Sequence, residues 1–269
     1  MKKRNIFMSA VLAITLVAGF TGCAAKNNES NKAGKENLFE SVKKEGKILI
    51  GTEGTYAPFT FHDKDGKLTG FDVEIAEEVA NRIGVKAEFV ETKWDGMFAG
   101  LDAGRFDIVA NQVGIRPDRE EKYDFSEPYI KSRAVLIVAK DNTSITKFED
   151  LKGKKAAQTL TSNYGDIARS NGAEIVAAEG FNQTIDLILA KRADATVNDS
   201  ISFYDLLKQK PDVAVKIVAE QSDASSSGFL FRKNNKELVE AVNKALDDMK
   251  ADGTYETISK KWFGVDVSK

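Results

Sequence analysis

Arg119 stands in "ANQVGIRPDREEKYDFS" (110–126), between an uncharged loop and an acidic, aromatic run. A guanidinium stays charged at neutral pH, and its planar fork holds a carboxylate through two parallel hydrogen bonds, a geometry lysine cannot copy. A carboxylate ligand is one reading of Arg119; an ion pair with Asp118, Glu120, Glu121 or Asp124 is the other. Gly114, just upstream, removes a side chain and lets a backbone amide approach a bound group closely. In "LTSNYGD", Thr161, Ser162 and Asn163 precede a helical segment. These are capping types, and the free amides of a helix start favour negative charge, so either a plain cap or an anion contact accounts for them. Asp199 closes "DATVND" and has the opposite preference: it pairs with an ammonium group or caps the helix that begins near Ser200. Tyr56 and Phe59 flank Pro58, and Trp94 opens another segment; such rings wall a ligand or fill a core. An arginine and a helix start for a carboxylate, an acid for an ammonium and rings for an aliphatic body together suit a zwitterionic amino acid.

Other chemistries find little support. His62 is the single histidine and Cys23 the single cysteine, so no Cys/His metal cluster and no intramolecular disulfide can be assembled. Neither a Gly-x-Ser-x-Gly elbow nor a phosphate loop ending in Gly-Lys-Ser or Gly-Lys-Thr occurs. No metal and no cofactor are expected, and acid-base catalysis by the plentiful carboxylates has no positive sign. The 39 basic and 41 acidic side chains are interspersed, for a formal net charge of -2. Nucleic acid is excluded as a partner, because it wants a concentrated basic face.

The elements that must position these residues follow from periodicity. With 269 residues and 42% hydrophobic content, the chain suffices for one large domain or two lobes. "KILIGTE" reads as a strand, 72–83 as a helix with Ile75, Ala76, Val79, Ala80 and Ile83 on one face and Gly84 at its stop, "KAEFVET" as a strand, 95–103 as a helix and "FDIVAN" as a strand. The order then repeats through "AVLIVAK", "GKKAAQ", 164–170, "AEIVAA", 183–190 and "ADATVN", which implies two α/β lobes, each a mostly parallel sheet flanked by helices. "AGRFDIVAN" (103–111) and "AKRADATVN" (190–198) share Ala, Arg, Asp and Asn at matching positions. In open α/β sheets ligands bind beyond the carboxyl ends of strands. The loops holding Glu53, Gln112, Thr161 and Asn198 all follow such ends.

The amino-terminal residues form a separate message. Lys2, Lys3 and Arg4 precede an apolar run, 6–20, too short for the roughly 20 residues that span a bilayer, so 1–22 reads as a cleaved export signal, with an uncleaved anchor as the other reading. Cys23 ends that run among small residues and matches a lipobox, except that Phe20 stands where leucine is usual; the polar stretch 23–37 reads as a flexible tether.

From about Leu38 to Lys269 the chain resembles the extracytoplasmic solute-binding proteins of polar amino-acid ABC importers, bacterial solute-binding protein family 3, most closely those for L-cystine. The phrases that carry the resemblance are "GTEGTYAPFTFHDKDGKLTGFDVEIAEEVA", "TKWDGMFAGLDAGRFDIVANQVG", "DREEKYDFSEPY", "LTSNY" and "DGTYETISKKWFG". It implies the type II, two-lobed periplasmic-binding-protein-like fold: one lobe from 38–130 and 228–269, the other from 134–222, with hinge crossings near 128–135 and 222–229. By position, Arg119 is then the anchor of the ligand α-carboxylate, helped by the Gly114 and Ser162 amides. Asp199 takes the α-ammonium with the Gln112 carbonyl, and Tyr56 and Trp94 are walls. Glu53, Asn111, Thr161, Asn163 and Asn198 line the cleft. Gly114 departs from the threonine that many relatives carry there and so lacks a hydroxyl. The resemblance further implies capture of an amino acid such as L-cystine outside the membrane by a monomer, lipid-anchored at Cys23, and delivery to a permease with its ATPase. An enzyme of the same fold, dehydratase-like or cell-wall lyase-like, and a sensory amino-acid-binding lipoprotein are the rival readings.

Overall fold

The computed structural model describes residues 37–268; the stretch read as an export signal, Cys23 and all but the last residue of the expected tether lie outside them. Helix α1 (Leu38–Glu45), capped by Asn37, leads into β1 (Lys47–Thr52). A small antiparallel sheet, β2 (Thr55–Tyr56), β3 (Thr60–His62) and β4 (Leu68–Thr69), precedes α2 (Phe71–Ile83). The five apolar residues of the periodic stripe in α2 are all buried, and Gly84 ends the helix in the left-handed conformation at φ 82. Then come β5 (Lys86–Glu91), α3 (Trp94–Asp102), β6 (Ile108–Val109), α4 (Pro117–Glu120), β7 (Tyr123–Phe125), β8 (Ile130–Ser132) and β9 (Ala134–Ala139). After a 3-10 turn at Phe148–Leu151 follow β10 (Lys155–Gln158), α5 (Asn163–Ser170), β11 (Glu174–Ala177), α6 (Phe181–Leu189), β12 (Ala195–Asp199), α7 (Ser200–Gln209) and β13 (Val215–Glu220). β14 (Ser225–Ser227), β15 (Leu230–Arg232), α8 (Lys236–Ala251) and α9 (Thr254–Phe263) close the chain.

Two five-stranded sheets form the two lobes, in the orders β5-β1-β6-β15-β7 and β11-β10-β12-β9-β13. The β-α-β order produces the parallel half of each, β1 with β5 and β6, and β10 with β11 and β12. The other half is antiparallel, because β15 runs against β6 and β7, and β9 against β12 and β13. These strands enter their sheets straight from segments that change lobes, without a crossover helix to restore direction. β8 and β14 pair antiparallel between the sheets, at the two crossings. α8 and α9, from the chain's end, pack on α2 and give the first lobe Leu238, Val242, Leu246, Met249 and Tyr255 as core.

The echo noted in the sequence has a physical basis. The Asp107 carboxylate accepts the Leu49 amide at 2.8 Å, and the Asp194 carboxylate accepts the Lys155 amide at 2.8 Å. The Asp107 and Asp194 amides donate back to the Leu49 and Lys155 carbonyls, each at 2.8 Å. β6 and β12 each lie third in their sheet order, and Gly104 and Lys191 share the left-handed conformation at φ 69 and 55. The repeated Asp therefore ties the foot of each central strand to its neighbour. Gly70, at φ 133, precedes α2 where an added Cβ would run into the Phe59 carbonyl, so only glycine fits this start.

Candidate functional site

A cavity lies where the strand tips and helix starts of the two lobes meet. Its walls include Glu53, Trp94, Asn111, Gln112, Asn163 and Asn198, with Tyr56 and Ser162 beside them. Eight of the twelve sequence-named ligand residues thus share one cavity. Asn111 and Asn198 reach it from the tips of the equivalent strands β6 and β12. Asn111 bridges to the β1 loop: its Oδ1 accepts the Glu53 amide at 2.8 Å and its Nδ2 donates to the Glu53 carboxylate at 2.6 Å. Asn198 Oδ1 accepts the Tyr56 hydroxyl at 3.0 Å, a bond from one lobe to the other. Ser162 caps α5 by accepting the Gly165 amide at 3.0 Å, so the plain cap is present at the cavity edge.

The remaining four, Gly114, Arg119, Thr161 and Asp199, stand outside the lining. Arg119 is 6% exposed, with its guanidinium 5.5 Å from the Trp94 ring centre and 5.2 Å from that of Phe98. Its Nη1 donates to the Gly114 carbonyl at 3.0 Å. No ion pair to a carboxylate forms among the described residues; Arg116 takes that role, pairing with Asp118 at 2.9 Å and Asp166 at 2.8 Å. The salt-bridge reading of Arg119 therefore gives way to a buried cation directly behind the Trp94 wall. A Cβ at Gly114 would sit 3.6 Å from Arg119 Nη1 and 4.0 Å from Asn163 Nδ2, so this glycine joins the arginine to the cavity edge. Asp199, 1% exposed, caps α7 through the Ile201 amide at 2.8 Å and also accepts the hydroxyls of Ser132 and of the cavity residue Tyr164. Thr161 is exposed on the rim, where its amide and hydroxyl donate to Asp95 at 3.0 and 2.7 Å.

Burial sets the electrostatics. Desolvation pushes the Glu53 carboxyl up to about 7, against the Asn111 side chain and the Trp94 amide, which favour its charged form. Desolvation likewise raises Asp199 despite Ser132, Tyr164 and the α7 amides, and lowers the Arg119 guanidinium to about 10, with Arg116 adding repulsion. Two buried polar atoms of the lining, Trp94 Nε1 and Gln112 Oε1, have no hydrogen-bond partner among the described residues. A ligand with both an acceptor and a donor would satisfy them.

Outside the cavity the lobes are held together along the rim. Asp95, in the first turn of α3, also accepts the Leu160 amide at 3.2 Å, and Lys93 pairs with Glu179 at 2.5 Å. Arg116 spans from the α4 cap to Asp166 on α5. These contacts join the lobes in a closed arrangement.

Thr159, Tyr164, Gly180 and Phe181 complete the lining and were not assigned from sequence. Phe181 was legible through the echo: it opens α6 nine positions before Ala190, as Trp94 opens α3 nine positions before Ala103. Extending the nine-residue match towards the amino terminus would have paired the two rings.

The model of the bacterial extracellular solute-binding proteins, family 3, matches residues 48–265. The L-cystine-binding protein TcyA of Bacillus subtilis (strain 168) is 50% identical over 263 residues, covering 97% of this chain and 98% of the relative. Among solved structures, an ancestral arginine-binding protein bound to arginine aligns with a TM-score of 0.77 at 39% identity, covering 81% of this chain and 99% of the other. The L-cystine solute receptor of Neisseria gonorrhoeae, in the unliganded open conformation, is 49% identical over 86% of this chain and 99% of its own, yet aligns with a TM-score of 0.57. The more similar sequence has the less similar shape, as expected when a closed two-lobed molecule is laid over an open one.

Proposed function

Because the chain belongs to the bacterial extracellular solute-binding proteins, family 3, we propose that it captures an amino acid, L-cystine, outside the cytoplasmic membrane and delivers it to the permease of an ABC importer. The chain is a binding protein rather than an enzyme. The observation that carries the cargo reading is a cavity between two lobes, walled by aromatic rings and polar side chains with a buried arginine and a buried aspartate close behind, beside the 50% identity to an L-cystine-binding protein.

In this reading the ligand carboxylate faces Arg119 with the Gly114 and Ser162 amides, and the ammonium faces Asp199 with the Gln112 carbonyl. Tyr56, Trp94 and Phe181 wall the body of the ligand. Glu53, Asn111, Asn163 and Asn198 meet its second polar end, and Thr161 acts on the rim. The lobes, 38–130 with 228–269 and 134–222, turn about crossings near 128–135 and 222–229. The ligand populates the closed form only through its higher affinity for that form. The protein works as a monomer, held at the membrane by lipid on Cys23; Cys23→Ser would release it into the medium. Calorimetric titration of the mature chain with L-cystine, L-glutamine and L-cysteine tests the reading. Heat of binding with L-cystine supports it, and no heat with any amino acid overturns it.

A further inference from the structure

Asp72 opens α2 and is 1% exposed, yet it pairs with no cation among the described residues. Its two oxygens are instead spent on one residue of the cavity wall. Oδ2 accepts the Gln112 backbone N–H at 2.7 Å, and Oδ1 accepts the Gln112 Nε2–H at 3.0 Å. A carboxylate only accepts, so it dictates which way the amide turns: Nε2 towards Asp72 and Oε1 away from it. That Oε1 is buried without a partner among the described residues, in a residue that lines the cavity. Gln112 also holds φ 51, a left-handed backbone uncommon outside glycine, asparagine and aspartate, and the grip on its amide maintains it. Asp72 lies in the first turn of a helix, where its charge is favoured. The groups around it are acids and neutral polar groups: Tyr129 and Gln112 beside it, with Asp199, Tyr56 and Tyr255 farther off. Its hydrogen bonds to Gln112, with the Tyr129 hydroxyl beside it, hold this carboxylate in the core.

We propose that Asp72 is a positioning residue for the ligand: by holding Gln112 at two points it aims Oε1 into the cavity as the acceptor for a ligand N–H. This rests on the reading of the cavity as an amino-acid site. The N–H belongs to an ammonium or amide group, and Gln112 acts through its side chain in addition to its backbone carbonyl.

The test is a double-mutant cycle read by calorimetric titration with L-cystine. Asp72→Asn keeps one acceptor oxygen and leaves one Gln112 donor unpaired, so affinity falls about 10- to 100-fold, the range for one buried hydrogen bond to a charged group. Gln112→Ala weakens binding to a similar degree. The double variant binds no more weakly than Gln112→Ala alone, because the one acceptor oxygen left by Asp72→Asn still meets the backbone N–H of residue 112 and no side chain is left there to aim. A purely structural role would lower affinity by the same factor in both backgrounds, and that result overturns the inference. So does an Asp72→Asn affinity within twofold of wild type. If Asp72→Asn does not fold, Gln112→Met decides: it keeps the length and removes the acceptor, and unchanged affinity overturns the inference. Wild-type protein that binds no amino acid overturns the functional reading and this inference with it; wild-type binding with an unaffected Asp72→Asn overturns this inference alone.

Discussion

Replacing Asp95 by alanine separates holding the lobes shut from touching the cargo. Asp95 is not part of the cavity lining, yet its carboxylate accepts three hydrogen bonds from the other lobe, at 3.2, 3.0 and 2.7 Å. A net hydrogen bond contributes about 0.5–1.5 kcal/mol, and these are exposed, so the low end applies and the set is worth about 1.5–2 kcal/mol. That disfavours the closed form about 10- to 30-fold. Where the open form dominates before binding, apparent affinity falls by up to the same factor, with most of the loss in faster release. Stopped-flow measurement of ligand release, followed by the fluorescence of Trp94, together with calorimetric affinity, reads both quantities. Lys93→Ala serves as the control, since an exposed ion pair contributes about 0–1 kcal/mol and its loss should change release only a few-fold. If Asp95→Ala releases and binds ligand within twofold of wild type, the rim contacts do not hold the lobes and the reasoning fails.

Three further outcomes follow from the geometry. Burial raises the Glu53 carboxyl from its ordinary 4.5 to about 7, so the folded protein holds this proton more tightly than the unfolded chain does. Its contribution to stability is full below about pH 4.5 and is lost as pH rises through 7. Glu53→Gln, without added ligand, is therefore more stable than wild type at pH 8 by about 1–2 kcal/mol, discounted because the group is partly exposed, and gains nothing at pH 4. Urea denaturation at both pH values checks this, and equal gains would refute it. Gly114→Thr folds with an unchanged melting temperature, because a Cβ there meets only ordinary contacts, and its added hydroxyl tightens amino-acid binding several-fold by calorimetry. Gly70→Ala lowers stability in urea by about 3 kcal/mol or more, since it combines an unfavourable φ with a collision against backbone.

Much of the fold could be read directly because the signals were local. The stripe in α2, the Gly84 stop and the continuous apolar run of β9 are properties of a few neighbouring residues. The antiparallel half of each sheet was not legible in this way: β15 is three residues long, and its place beside β6 depends on the chain returning from the other lobe. The same division holds at the site. Residues at strand tips, such as Glu53, Asn111, Gln112 and Asn198, converge on the cavity as their position after a strand implies. For Arg119 and Asp199, sequence supplied the charge and a set of rival partners. What separated the rivals was tertiary packing: Arg116 occupying the nearby acids, and Ser132 and Tyr164 meeting Asp199 from elsewhere in the chain. Asp72 lay unremarked inside a helical pattern, because its link to Gln112 spans 40 positions.

The paired staples at Asp107 and Asp194 anchor each central strand at the end away from the cargo, while Asn111 and Asn198 stand at the opposite tips. Foundation and fingertip are thus different parts of the same strand, built twice in one molecule. Such a frame can exchange the substituents that select its guest without disturbing the masonry beneath, on both sides of the guest.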